Sequence, residues 1–289
     1  MKQHKLGNRQ VSAIGVGCMN VSWIWSNGAA LDPVRRQESA IPAIHAALDA
    51  GVTFLDTADI YAPTWDEFGH NEVFVAEALR TWSGTKEQKN KVVVATKAGI
   101  SRQPGERWGR NGSLDYLLRA AEASAGRLGV EKIDLWQHHR LDPEIVFETQ
   151  VANVLALKER GIVSIQNEFS PRYRYDLDVL AVCEKYGVAY LPWSPLGGMN
   201  NKKAITDSDA FEEIANKHNV SKYAIALAWE IKTSPSVIPI PGATRTESIL
   251  DCITALDVTL SDDDFEYLNA NLPEQAEYSG ELVPKPAHR

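Results

Sequence analysis

A chain of 289 residues can bury a large core, and about 250 residues is the usual size of one α/β barrel. Its 44% hydrophobic and 24% charged residues fit an ordinary globular protein, and its net charge of -8 argues against a nucleic-acid or anionic-membrane surface. Cys18, Cys183 and Cys252 lie far apart with no CxxC pair, so neither a disulfide framework nor a zinc knuckle is expected and a reducing compartment fits best.

The start, Met1-Lys2-Gln3-His4-Lys5-Leu6-Gly7, leads into polar residues rather than an apolar leader core. No apolar stretch approaches the ~18 residues of a membrane span. A cytoplasmic location without membrane association is the expectation. A β-hairpin is expected around Leu6-Gly7-Asn8-Arg9-Gln10-Val11. Short β-type runs then alternate with longer helical patterns, the signature of βα units around a parallel sheet. Seven core strands are expected, centred on 13–18, 53–58, 92–97, 133–138, 162–167, 188–193 and 236–240.

Between the strands, Ile41, Ile44 and Leu48 repeat at helical spacing before a stop at Gly51. Leu114, Leu117, Leu118, Ala121, Ala125 and Leu128 form a longer stripe ahead of Gly129. Phe211, Ile214 and Ala215 open another behind the cap-like Asp207-Ser208-Asp209. Three polar, aromatic segments follow strands, at 20–32, 62–71 and 101–113, and carry Trp23, Trp25, Trp65 and Trp108. Such loops either define substrate access or pack the rim. No repeat, low-complexity tract or linker divides the chain, so residues 1–289 are expected to form a single barrel domain.

Four ionisable residues share one address. Asp56 and Tyr61 belong to Phe54-Leu55-Asp56-Thr57-Ala58-Asp59-Ile60-Tyr61, Lys97 closes Val92-Val93-Val94-Ala95-Thr96-Lys97, and His139 follows Asp134-Leu135-Trp136-Gln137-His138. All fall at C-terminal strand ends, where parallel barrels assemble active sites. Carbonyl reduction by a nicotinamide builds negative charge on oxygen, which a nearby acid must protonate. Tyr61 is suited to that role if Lys97 lowers its pKa from about 10. Asp56 would hold Lys97 charged, and His139 would orient the carbonyl. Singly, each has an ordinary role open to it: turn cap, rim aromatic, solvated lysine or backbone-bonded imidazole.

With these residues in place, the sequence resembles an aldo-keto reductase. Thr53 to Ala58 with Tyr61 and Gly69-His70-Asn71-Glu72 is similar to that family's second-strand motif. Ala95-Thr96-Lys97 and Asp134 to Arg140 resemble its lysine and histidine motifs. Gln166-Asn167-Glu168, Pro192-Trp193-Ser194-Pro195-Leu196-Gly197 and Ile238-Pro239-Ile240-Pro241-Gly242-Ala243 follow in order.

The resemblance implies a TIM-type (β/α) barrel, a catalytic tetrad of Asp56, Tyr61, Lys97 and His139, and a small-molecule carbonyl substrate. It also implies NADPH, with NADH as the other cofactor open to it, and no metal. Gln166 would contact the nicotinamide carboxamide, Trp193 would stack on the nicotinamide, and Ser194, Leu196 and Gly197 would line the pyrophosphate. Gly242 and Ala243 would approach the adenosine phosphate, with Arg245 as partner for a 2′-phosphate.

One departure is large. Leu157-Lys158-Glu159-Arg160-Gly161 runs straight into Ile162-Val163-Ser164-Ile165-Gln166-Asn167, so one strand-helix unit of about 25 residues is missing after Gly161. The expectation is therefore seven βα units rather than eight. Ser248 and Cys252 also depart from the family at the adenosine end. Two other readings stand beside the reductase: a non-catalytic or regulatory relative that keeps the fold, and a metal-dependent barrel enzyme using Asp56, His139 and Glu168 as ligands.

Overall fold

Alternation in sequence becomes alternation around a wall in the computed structural model of this chain. The structure describes residues 1–22, 25–26, 29–30, 33–140, 142–146, 149, 153, 164–198, 205, 207–242 and 244–277, with 25–26, 29–30 and 33–37 described by their backbone alone. β1 (Gln3–Leu6) and β2 (Arg9–Ser12) pair antiparallel through Gly7, whose φ of 60° suits a tight turn. β3 (Val16–Gly17), the short α1 (Met19–Ser22), the two-residue strands β4 (Trp25–Ser26) and β5 (Ala29–Ala30), and α2 (Pro33–Asp49) follow. Gly51, at φ 93°, stops α2 by returning its N–H to Leu48 O at 3.0 Å.

β6 (Phe54–Asp56), α3 (His70–Thr81), α4 (Lys86–Lys91) and β7 (Val93–Ala98) continue the alternation. The polar segment 101–113 does not remain a loop. It forms an antiparallel hairpin of β8 (Ile100–Gln103) and β9 (Arg107–Arg110), turned at Gly105 and Glu106, both at positive φ. α5 (Leu114–Leu128) ends at Gly129, φ 69°, whose N–H reaches the last-turn carbonyls. Then come β10 (Leu135–His138), β11 (Ser164–Glu168), α6 (Leu177–Tyr186), β12 (Ala189–Trp193), α7 (Asp209–His218), α8 (Lys222–Thr233), α9 (Thr246–Ile253) and α10 (Asp262–Ala270). Ser208 precedes α7 at the cap position but makes no side-chain cap bond.

The parallel ladder runs β10-β7-β6-β3, and β11 pairs in parallel with β12. Segment 236–242 joins the two sheets: Ile238 N–H donates to Tyr190 O at 2.9 Å, and Gly17 N–H donates to Pro241 O at 3.0 Å. It makes isolated bridges instead of the expected strand over 236–240, because Pro239 and Pro241 have no N–H for a ladder. Close approach is essential here: a Cβ on Gly17 would lie 2.7 Å from Ile240 O.

Along the other side, the described link between β10 and β11 is made by side chains. Gln137 Nε2 donates to Ser164 Oγ at 2.8 Å, and Gln166 Nε2 donates to Gln137 Oε1 at 3.3 Å. The expected deletion point falls in 154–163, outside the described residues.

Two apolar layers result. Phe54, Val93, Leu135, Ala189 and Ile238, near the N-terminal ends of their segments, cluster inside the wall with Leu6 and Val11 of the hairpin. The hairpin therefore plugs the floor and leaves the C-terminal strand ends open. Outside, helix faces carrying Ile44, Leu48, Val75, Phe211, Ile225, Trp229 and Ile249 share a larger core. Burying one such side chain contributes about 1.5–3 kcal/mol.

Candidate active site

Register gathers the four ionisable residues. Asp56 stands opposite Ala95, and Gln137 stands opposite Lys97. Two residues apart on a strand means the same face, so Leu135, Gln137 and His139 all belong to the inner wall. Lys97, only 1% exposed, donates from Nζ to Asp56 Oδ2 at 2.8 Å, to Thr57 O at 2.7 Å and to Tyr61 OH at 3.1 Å. Its three hydrogens are thus matched by three acceptors. His139 meets the Tyr61 ring edge-on, with centroids 5.6 Å apart, and its backbone N–H bonds Ala98 O at 2.8 Å.

Burial is the largest influence on Tyr61 and raises its pKa above the ordinary phenol value; Lys97 opposes it and Asp56 adds to it. This corrects the expectation of a lowered phenol: the lysine acts in the expected direction, but desolvation wins. Burial also works against the Lys97 ammonium, yet Asp56 and Tyr61 outweigh it and raise its pKa. Burial, followed by the positive charges of Lys97, Arg140 and Arg110, holds His139 well below the usual imidazole value, and its buried Nδ1 has no hydrogen-bond partner. The group can therefore deliver a proton from Tyr61, hold a cation behind it, and present a neutral imidazole beside it.

Asp56, Tyr61 and His139 line a cavity of about 410 Å³ with Gln166, Trp193, Ser194, Leu196 and Gly242. Lys97 lies behind that wall. Gly197 is buried at φ 82°, donates its N–H to Ser194 O at 2.8 Å and is not among the lining residues. Arg245 is exposed at the N-terminal boundary of α9, outside the lining, and Ala243 is not among the described residues.

Sequence reasoning assigned no role to Gln137, Met19, Ile60 or Ile100, and quoted Arg140 only within a motif; all but Gln137 line the cavity. The Arg140 guanidinium lies 5.1 Å from the Trp193 ring centroid. Trp108, on the 100–110 hairpin, also lines the cavity and packs against Arg102. Trp65 is 37% exposed and outside the lining, whereas Trp23 lies outside the described residues and Trp25 is described by backbone alone. His138 faces away from the tetrad, as alternation requires. A Cβ on Gly99 would lie 2.5 Å from its ring, and burial pushes its pKa down to about 4. Cys18 N–H donates to Asp56 O at 2.8 Å, and burial, then Asp56, pushes its thiol up to about 12.

No group of three or more His, Cys, Asp or Glu side chains suited to hold a metal occurs among the described residues. Asp56 is instead occupied by Lys97 and by Gln166 Nε2, which donates to Oδ1 at 2.9 Å.

These four residues stand together at the open end of a parallel α/β wall, beside one cavity. The aldo/keto reductase family model matches residues 13–164 and 149–272, and the chain belongs to that family. An uncharacterized oxidoreductase of Schizosaccharomyces pombe is 30% identical, covering 92% of this chain and 88% of that protein. A probable aldo-keto reductase of Glycine max is 28% identical over 93% and 88%. Among solved structures, a glycerol dehydrogenase from Gluconobacter oxydans superposes with a TM-score of 0.75 at 22% identity, covering 95% of this chain and 97% of that one. An aldo/keto reductase from Klebsiella pneumoniae, in complex with NADP and acetate, gives 0.71 at 22% identity over 96% and 98%. These structures support the barrel fold. No helix among the described residues is long and apolar enough to cross a membrane.

Proposed function

We propose that this protein is an NADPH-dependent reductase that converts a small aldehyde or ketone to its alcohol, with Tyr61 as general acid. The observation that carries this reading is the Lys97 Nζ contact to both Tyr61 OH and Asp56 at the cavity wall. The cavity fits a nicotinamide cofactor by its chemistry. Trp193 offers a flat aromatic surface, Gln166 an amide, and Gly242 a backbone surface where a Cβ would come within 2.7 Å of Asn20 Nδ2. The family relation and the NADP complex of the Klebsiella protein support the same cofactor. Gln166, Trp193, Ser194, Leu196 and Gly197 would hold it, with Gly242, Ala243 and Arg245 at the adenosine end.

When bound, NADPH supplies the hydride. His139, neutral at working pH, orients the carbonyl oxygen. As negative charge grows there, the Tyr61 O–H bond breaks and its proton passes to that oxygen. Lys97 stabilises the phenolate left behind, and Asp56 keeps the ammonium in place. A raised phenol pKa suits this direction, because the donor keeps its proton throughout the neutral range. The reading treats 1–289 as one domain acting in the cytoplasm on small molecules. The family model matches in two pieces, 13–164 and 149–272, which overlap over 149–164.

NADPH oxidation with a reactive aromatic aldehyde tests the proposal. Tyr61→Phe should cost about 10²–10⁴ in turnover while cofactor binding persists. Wild-type turnover no greater than that of the phenylalanine variant would end the claim. Saturable cofactor binding with no turnover in either protein would favour the regulatory reading.

A further inference from the structure

Where β10 faces β11, the described connection consists of side-chain amides, and these reach directly into the tetrad. We propose that Gln137 and Gln166 form a positioning pair that spans this seam and holds Asp56 so that Lys97 stays against Tyr61. The catalytic part of the inference rests on the reductase reading; the geometric part does not.

Gln166 Nε2 donates to Asp56 Oδ1 at 2.9 Å and to Gln137 Oε1 at 3.3 Å. Gln137 Nε2 donates to Ser164 Oγ at 2.8 Å. The direction of this chain follows from charge. A carboxylate only accepts, so the NH₂ end of Gln166 must face Asp56. Its second hydrogen then requires an oxygen, which fixes the orientation of Gln137. Gln137 is 4% exposed, so little water is at hand to replace a lost partner.

Asp56 is consequently held at both oxygens, by Lys97 on Oδ2 and Gln166 on Oδ1. A carboxylate held on one side swings about its Cβ–Cγ bond; one held on both does not. Both Gln166 hydrogens are committed, leaving Oε1 to accept from a cofactor carboxamide. The family resemblance gives Gln137 no role, whereas here it sets the direction in which Gln166 points. The seam thereby becomes a support for the reacting groups.

The test uses the full-length chain with Gln137→Met, which keeps the length of the side chain and removes its amide. Two measurements decide it. Without cofactor, the tyrosinate absorbance titration of each protein is compared with its own Tyr61→Phe version, which isolates Tyr61. Loosening Asp56 lets Lys97 move off the phenol, and the lowering effect of Lys97 outranks the raising effect of Asp56, so Tyr61 should ionise about half a pH unit higher in Gln137→Met. With NADPH and aldehyde, kcat should fall about tenfold while both KM values stay within about twofold. If Gln137→Met does not fold, Gln137→Asn, which withdraws the amide by one methylene, takes its place with the same expectations. A folded variant whose Tyr61 titration and kcat both match wild type overturns the proposal. Failure of wild type to turn over any aldehyde sinks the reductase reading, and the titration alone then decides the positioning role.

Discussion

Glu230 is a carboxyl group buried without a hydrogen-bond partner among the described residues. It lies in α8 at 0% exposure, neither oxygen has a hydrogen-bond partner, and burial drives its pKa well above the ordinary value. The folded chain keeps this proton at pH values where the unfolded chain releases it. The contribution of Glu230 to stability is therefore greatest below the ordinary carboxylate range and falls as pH rises toward the folded value. Glu230→Leu should remove that slope and stabilise the protein by about 2 kcal/mol at pH 8, with a smaller gain at pH 5. Urea unfolding at the two pH values checks it, and equal gains at both would refute the ionisation account. Residues of this kind show what a sequence reveals at this scale. The grouping of Asp56, Tyr61, Lys97 and His139 was legible because all four fall at C-terminal strand ends, which parallel strands bring together. Gln137 was not, because an amide within a strand has no chemistry of its own until register places it beside Gln166. The alternation of Leu135, Gln137 and His139 was the available signal.

Helix ends carry a second level of information. Ser221 caps α8 by accepting from Ala224 N–H at 3.0 Å, and its hydroxyl donates to Asp251 Oδ2 on α9 at 2.7 Å. One hydroxyl thus ends one helix and ties it to the next. Ser221→Ala should cost about 1–2 kcal/mol, read as a lower midpoint in chemical denaturation without change in slope. A loss within error would mean that water replaces both bonds. Most elements could be placed from pattern alone: the apolar stripe before Gly129 became α5, and six of the expected strand centres contain ladder-paired strands. Two elements could not. The 101–113 segment lacks a clear two-residue alternation, and it pairs as a hairpin with help from the Arg102–Glu106 ion pair at 2.5 Å. Around 236–242, apolar β-type residues suggested a strand, but alternate prolines reduce it to bridges.

At the scale of the molecule, an acidic chain of net charge -8 is proposed to hold a polyanionic dinucleotide, which requires locally placed cations and backbone dipoles. Bound only by the folded state, NADPH at about 100 times its Kd should add about 2.7 kcal/mol to the unfolding free energy. A rise in thermal midpoint that saturates with cofactor would show this, and an unmoved midpoint at millimolar NADPH would count against the cofactor assignment. All three cysteines are buried, and the one whose backbone leans on Asp56 has its thiol pushed up to about 12. Alkylating agents and mild peroxide attack the ionised sulfur, a form that Cys18 scarcely populates at any working pH. Preparations stored in air, without dithiothreitol, should accordingly keep the sulfur beneath their reactive centre intact.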